Sequence, residues 1–266
     1  MKIRPVILCG GAGTRLWSDR KKNQAKQFID FGGWTLFGKT LERINHSSFD
    51  YPVISTNIKY LKDIKKNLKN EGIKKYKIVL EPSKKNTAPA ILTAALINDI
   101  PEKQPIIFLS SDHLFEKSKK FDDEIKKHKK FLNNENIFIF GIKPTSNSDQ
   151  FGYFVTKKIK NLNQVSRFIE KPNLLKAKKI IKNGGYWNSG MFILRKDSLI
   201  NNFKKHQKKI YKNSLLAVIR SKSKNNIYYL NKKTFNMNPP KSFDYAILEK
   251  TKKINAIKLN MRWSDL

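Results

Sequence analysis

The chain has 266 residues, and a hydrophobic share of 39% is enough to bury a sizeable core and too high for a disordered chain. No apolar run approaches the roughly 18–20 residues of a membrane span, and the single cysteine, Cys9, excludes an internal disulfide and a cysteine-built zinc site. The formal charge of +34 is mostly lysine scattered over the whole length, which reads as a solvated coat and not as a nucleic-acid or membrane surface.

In chain order, Met1-Lys2-Ile3-Arg4 leads into an apolar run with no cleavage site for a signal peptide, so a cytoplasmic protein is expected. Strands are predicted at Pro5–Cys9, Pro52–Thr56, Lys77–Leu80, Pro105–Leu109 and Ile137–Ile142. Helices are predicted between them at Thr35–Ile44, Ile58–Asn70, Thr87–Ile100 and Phe121–Leu132. The strands are too uniformly apolar to have a wet face, which argues a mostly parallel sheet covered on both sides. Beyond Gly141, strands are expected at Tyr153–Ile159, Val165–Glu170, Met191–Arg195 and Ile254–Asn260. Ala177–Lys182 and Phe243–Lys253 read as helices. With no repeat and no Pro/Ser-rich linker, residues 1–266 read as one α/β domain.

The densest signal is Leu8-Cys9-Gly10-Gly11-Ala12-Gly13-Thr14-Arg15-Leu16-Trp17, a strand, a turn of small residues and then a cation. Small residues at the carboxyl end of a strand let backbone N–H groups cradle phosphate, and arginine adds a charge-assisted fork. The dinucleotide fingerprint fails, since Leu16 stands where its third glycine belongs. Lys26-Gln27-Phe28 brings a second cation near the same loop. A rival lies at Gly33-Trp34-Thr35-Leu36-Phe37-Gly38-Lys39-Thr40, which has the formal spacing of a P-loop. Its bulky Trp34, Leu36 and Phe37 do not suit a phosphate nest, and Thr35 reads better as a helix N-cap.

Together the glycine turn and Lys26-Gln27-Phe28 resemble the signature of sugar-nucleotide pyrophosphorylases, and above all the bacterial mannose-1-phosphate guanylyltransferase family. Further ordered matches are Glu81-Pro82 with Asn86-Thr87-Ala88-Pro89-Ala90, Ser111-Asp112-His113, Phe151-Gly152-Tyr153, Phe168-Ile169-Glu170-Lys171-Pro172, Trp187-Asn188-Ser189-Gly190-Met191-Phe192, Phe243-Asp244-Tyr245-Ala246 and Trp263-Ser264-Asp265. The resemblance implies a Rossmann-like mixed sheet with helices on both faces. It implies the conversion of GTP and α-D-mannose 1-phosphate into GDP-mannose and pyrophosphate, assisted by Mg²⁺. Such chemistry needs positioning and charge neutralisation, not a protein nucleophile.

By that likeness Gly10, Gly11, Gly13 and Thr14 hold the nucleotide, Arg15 and Lys26 are the catalytic cations, and Asp112 and Asp265 hold Mg²⁺. Glu81, Asn86, Thr87 and Ala88 lie near the base. A carboxylate at Glu81 suits the N1–H and N2–H donors of guanine. Gly152, Glu170, Lys171 and Asn188 form the sugar-phosphate side, and His113 is given no role. Ser18 and Ala25 stand where the family has prolines, and Lys85 where it has arginine, so a looser loop and weaker nucleotide affinity are expected. The family continues past its Trp-Ser-Asp, so the resemblance also implies a domain cut short near Leu266, with no β-helix or cupin isomerase domain and with Asp265 prone to fraying. Expected partners are the two substrates, without nucleic acid or membrane; homo-oligomerisation is left open.

Overall fold

The structure is a computed structural model and describes residues 1–11, 25–115, 118–133 and 135–265. The first half alternates strands and helices: β1 (Arg4–Cys9), α1 (Leu36–Ile44), β2 (Val53–Thr56), α2 (Leu61–Asn70), β3 (Lys77–Leu80), α3 (Thr87–Leu96), β4 (Pro105–Ser110), β5 (His113–Phe115), α4 (Ser118–His128) and β6 (Ile137–Ile142). Then come β7 (Tyr153–Ile159), β8 (Leu162–Ile169), α5 (Leu174–Lys182), β9 (Tyr186–Arg195), α6 (Lys196–His206), α7 (Lys208–Ile219), β10 (Lys222–Lys224), β11 (Ile227–Tyr229), α8 (Lys232–Asn236), β12 (Ile254–Leu259) and β13 (Trp263–Asp265).

Eleven strands form one sheet in the order β10-β11-β3-β2-β1-β4-β9-β6-β12-β8-β7, and β13 pairs with β5 in a separate ribbon. From β11 to β4 all neighbours are parallel, so the carboxyl ends of β1, β2, β3 and β4 share one edge. Strand β9 runs antiparallel to β4 and β6, which brings its opening residues to that same edge. The sheet is mixed, with its parallel part running from β11 to β4.

Alternate side chains of β1 feed two cores. Ile7 and Cys9 pack with Phe37, Leu41, Ile64, Leu68 and Phe121 from α1, α2 and α4. Val6 packs with Ile91, Leu92, Leu199, Phe203 and Ile210 from α3, α6 and α7. Helices on both faces are therefore needed to cover the sheet, as expected of apolar strands in the middle of an α/β fold.

Two expected helices come out shorter. The helix from Thr87 stops at Leu96, because the buried Ile97 turns extended (ψ 145°) ahead of Pro101. Phe243–Lys253 is helical only as a five-residue π turn, Asp244–Leu248, closed by the Glu249 N–H on the Asp244 carbonyl at 3.0 Å. Ala246, Ile247 and Leu248 are all buried, a pattern that suits an enclosed turn and gives no wet helical face. The P-loop look-alike is the start of α1. Thr35 caps that helix, its Oγ1 accepting from the Gly38 N–H at 2.8 Å, and Lys39 faces solvent with Glu42.

Candidate active site

A cleft of about 540 Å³ opens along the carboxyl edge of the sheet. Ligands of open α/β sheets bind at this edge. At one end, Gly10 and Gly11 follow β1 and Glu81 follows β3. Gly10 faces Glu81 across the cleft, and a Cβ there would make only ordinary contact with Glu81 Oε1, at 3.9 Å. The Gly11 carbonyl accepts from Gln27 Nε2 at 3.1 Å and the Tyr60 hydroxyl at 3.3 Å, which fixes the start of the turn. Gly13, Thr14 and Arg15 lie outside the described residues.

Burial pushes the Glu81 carboxyl up to about 7, against a 2.8 Å hydrogen bond donated by the Ser55 hydroxyl. Beside it Asn86 holds φ 64° and ψ −176°, backbone almost confined to glycine, and Asn86 Oδ1 accepts from the Thr87 N–H at 2.7 Å. Strain of this kind costs about 1–3 kcal/mol and is held by surrounding contacts. Thr87 Oγ1 in turn accepts from the Phe243 N–H at 2.8 Å, tying α3 to the π turn. Ala88 is different from the other expected contacts. It faces the core, fully buried, with its N–H on the Lys241 carbonyl at 3.0 Å, and it does not line the cleft.

The middle of the cleft carries two carboxylates, Asp112 and Asp265, and the buried Lys26 meets them without lining the cleft itself. Lys26 Nζ lies 3.0 Å from Asp112 Oδ2 and 2.9 Å from Asp265 Oδ1. Burial alone would raise the Asp112 carboxyl, but His113, Lys26 and the Ser110 hydroxyl outweigh it and hold the carboxyl below its ordinary value. Asp265 sits in β13, opposite His113 in the β5 ladder, and Trp263 packs edge-on against His113 and against Phe151. Arg43, buried on α1, donates to the His113 carbonyl at 3.3 Å and stacks on Phe115, which fixes β5 from behind.

Asp112, His113 and Asp265 each offer a ligand atom within 4.8 Å of the others. His113 Nδ1 is buried without a hydrogen-bond partner among the described residues, and burial lowers the imidazole's affinity for a proton. Two carboxylates open to the cleft are the donor set that a hard divalent ion such as Mg²⁺ takes, with substrate oxygens and water completing its shell. The residues fit such an ion.

The far end gathers Gly152, Glu170, Lys171 and Asn188. The Asn188 N–H donates to the Gly152 carbonyl at 2.8 Å, and its side-chain amide donates to Asp244 Oδ1 at 3.0 Å. A Cβ at Gly152 would lie 2.5 Å from Glu170 Oε2, so only glycine leaves that carboxylate its place. Burial, and then the neighbouring Asp244, raise the Glu170 carboxyl to about 7; burial also raises Asp244. Lys171 adopts φ 45° with its ammonium 3.8 Å from Glu170 Oε1 and more than half exposed. Asp244 is a site residue to which sequence reasoning gave no role. Its signal was an acid inside the apolar run Phe243–Leu248. Ser110 and Lys84 also line the cleft with no distinguishing pattern in sequence, and Gln27 stood in the Lys26-Gln27-Phe28 motif without a role.

Gly10 and Gly11 after β1, a carboxylate pair able to hold a divalent ion, and a polar far end lie along one edge of an α/β sheet of nucleotidyltransferase type. The chain belongs to the Nucleotidyl transferase family, whose pattern matches residues 4–266. It is 32% identical over 98% of its length to the alginate biosynthesis protein AlgA of Pseudomonas fluorescens, covering 56% of that protein. It is 33% identical over 98% of its length to the mannose-1-phosphate guanylyltransferase of Escherichia coli, covering 59% of it. The chain thus spans a little over half the length of these curated relatives. Among solved structures it resembles one titled mannose-6-phosphate isomerase from Helicobacter pylori, with a TM-score of 0.85, 30% identity and full coverage of both chains. Among the described residues, no helix is long and apolar enough to cross a membrane.

Proposed function

We propose that this chain transfers a guanylyl group from GTP to α-D-mannose 1-phosphate, giving GDP-mannose and pyrophosphate, and that it works with Mg²⁺ in the cytoplasm. The observation that carries the reading is the meeting, in one cleft, of Gly10, Gly11 and Glu81, the Asp112–Lys26–Asp265 cluster, and Glu170 with Asn188. Relatives about 30% identical along the whole chain and named mannose-1-phosphate guanylyltransferase support the same choice of base and sugar.

A phosphate oxygen of the sugar phosphate attacks the α-phosphorus in line. The new P–O bond forms as the bond to the β-phosphate breaks, and pyrophosphate leaves with the electron pair. Glu81 accepts the two guanine donors when ionised. Lys26, with Arg15 by family likeness, balances charge on the phosphates. Lys171 meets the sugar phosphate, Glu170 accepts from sugar hydroxyls, and Asn188 is held for the sugar by Asp244 and by the Gly190 N–H on its Oδ1 at 3.3 Å. Asp112 and Asp265 would hold Mg²⁺, which when bound neutralises phosphate charge and polarises the reacting phosphate.

The test is pyrophosphate release with GTP, Mg²⁺ and mannose 1-phosphate, each omitted in turn, and with dTTP, UTP and ATP in place of GTP. Release that needs all three and prefers GTP is expected; release with another nucleotide reassigns the base, and no release by folded protein defeats the reading. The full-length likeness to a protein titled mannose-6-phosphate isomerase favours one second reading, interconversion of mannose 6-phosphate and fructose 6-phosphate. The same preparation is assayed for it, and no isomerisation is expected.

A further inference from the structure

We propose that the Lys26 ammonium is the resident cation of the two-carboxylate site, and that a divalent ion enters by displacing it. The inference rests on the metal assignment made above and adds a competitor within the chain. Lys26 Nζ is within 3.0 Å of one oxygen of Asp112 and within 2.9 Å of one oxygen of Asp265, residues 239 positions apart from it in the second case. Its side chain is only 5% exposed, whereas the two carboxylates are 26% and 20% exposed toward the cleft. A buried ammonium needs anionic partners, and two carboxylates brought together need a cation. Each supplies what the other lacks.

A divalent ion sharing those oxygens sits about 2.0–2.1 Å from them. It would then lie within a few ångströms of Nζ in a partly desolvated site, where like charges repel strongly. Two carboxylates cannot neutralise a dication and an ammonium together, so one cation leaves. Polyphosphate resolves the conflict, because it brings enough negative charge for both and gives Lys26 a new partner. The divalent ion therefore binds the free protein weakly and binds tightly together with triphosphate, and the same exchange delivers Lys26 to the phosphates it serves. This is a coupling of two ligands through one side chain, and it is reciprocal by thermodynamic necessity.

The experiment titrates Mn²⁺ alone into the folded protein, by calorimetry or by loss of the free-ion paramagnetic signal. Lys26→Met is expected to bind Mn²⁺ at least tenfold more tightly than the unmodified chain, and to regain with Mn²⁺ the melting temperature it loses without it. Lys26→Arg keeps the competitor and should bind as weakly as the parent. Equal or weaker binding by Lys26→Met overturns the proposal. Should that variant not fold, the unmodified chain suffices: acylation of Lys26, read by mass spectrometry, should rise when Mn²⁺ is added alone, and unchanged labelling overturns the proposal equally. No readout involves nucleotide or turnover, so a chain that fails to release pyrophosphate still tests the exchange.

Discussion

On the proposed reading, Glu81 is the side chain whose ionisation bears on recognition of the base. Its carboxyl is pushed by burial to about 7, so it is mostly charged at pH 8 and mostly protonated at pH 6. Only the charged form accepts both guanine donors, so affinity for GTP falls as pH drops through 7. Calorimetric titration at pH 8 and pH 6 should show the fall. Glu81→Gln should bind at least tenfold more weakly at pH 8, about 1.4 kcal/mol or more, and should lose the part of the pH dependence not due to the phosphates. A pH profile identical in the variant would remove Glu81 from the base site. Gly152 offers a complementary test. The atom that a Cβ would strike is the mobile end of Glu170, so Gly152→Ala should leave the melting temperature within a few degrees and raise KM for mannose 1-phosphate several-fold, with little change for GTP. Equal loss for both substrates would place Glu170 elsewhere in the reaction.

At the scale of elements, Thr35 joins local and tertiary structure. Its hydroxyl caps α1 and also donates to Asn67 Oδ1 on α2. Thr35→Ala should therefore cost about 1–2 kcal/mol in urea denaturation, whereas Lys39→Ala, which breaks only an exposed pair with Glu42, should change neither stability nor turnover. Loss of turnover in the second variant would revive the P-loop at this place. The cap was legible in sequence because Thr35 precedes an apolar face at helical spacing. The core strands were legible for the same reason, as Lys77–Leu80 and Ile137–Ile142 fall where expected. Helices α6 and α7 were not, because lysines and asparagines dilute their faces and Gln207 joins them with no glycine or proline between. Three-residue strands such as β10, wholly exposed, leave no hydrophobic trace. In the site, the motifs named many of the described residues that line the cleft, but not that Ala88 turns inward or that Asp244 holds Asn188. Those depend on which face of a short element meets its neighbour, and no local pattern states it.

For the molecule as a whole, two raised carboxyls set a direction for stability with pH. Glu81 and Glu170 bind protons more tightly in the folded chain, at about 7, than in the unfolded chain, near the ordinary 4.5. Between those values the folded state holds more protons, so these two groups favour folding at low pH and their contribution declines as pH rises from about 4.5 to 7. Asp112, held below its ordinary value, acts at lower pH and does not oppose them there. Urea denaturation at pH 5.5 and 8 should show that Glu81→Gln gains stability relative to the parent at pH 8 and less at pH 5.5. The opposite ordering would contradict the buried, neutral-preferring state of Glu81.

The ribbon that joins β13 to β5 has a bearing on how the protein is made. Lys26 meets Asp265 across 239 positions of sequence, so a ribosome must deliver nearly the whole described chain before the pair can close. Strands β1 to β4 pair with one another within the first 110 residues and so are all synthesised long before β13, although α6 and α7, which cover one face of them, come later. On the proposed reading, a nascent chain lacks one of the two carboxylates that would hold the divalent ion until β13 has emerged.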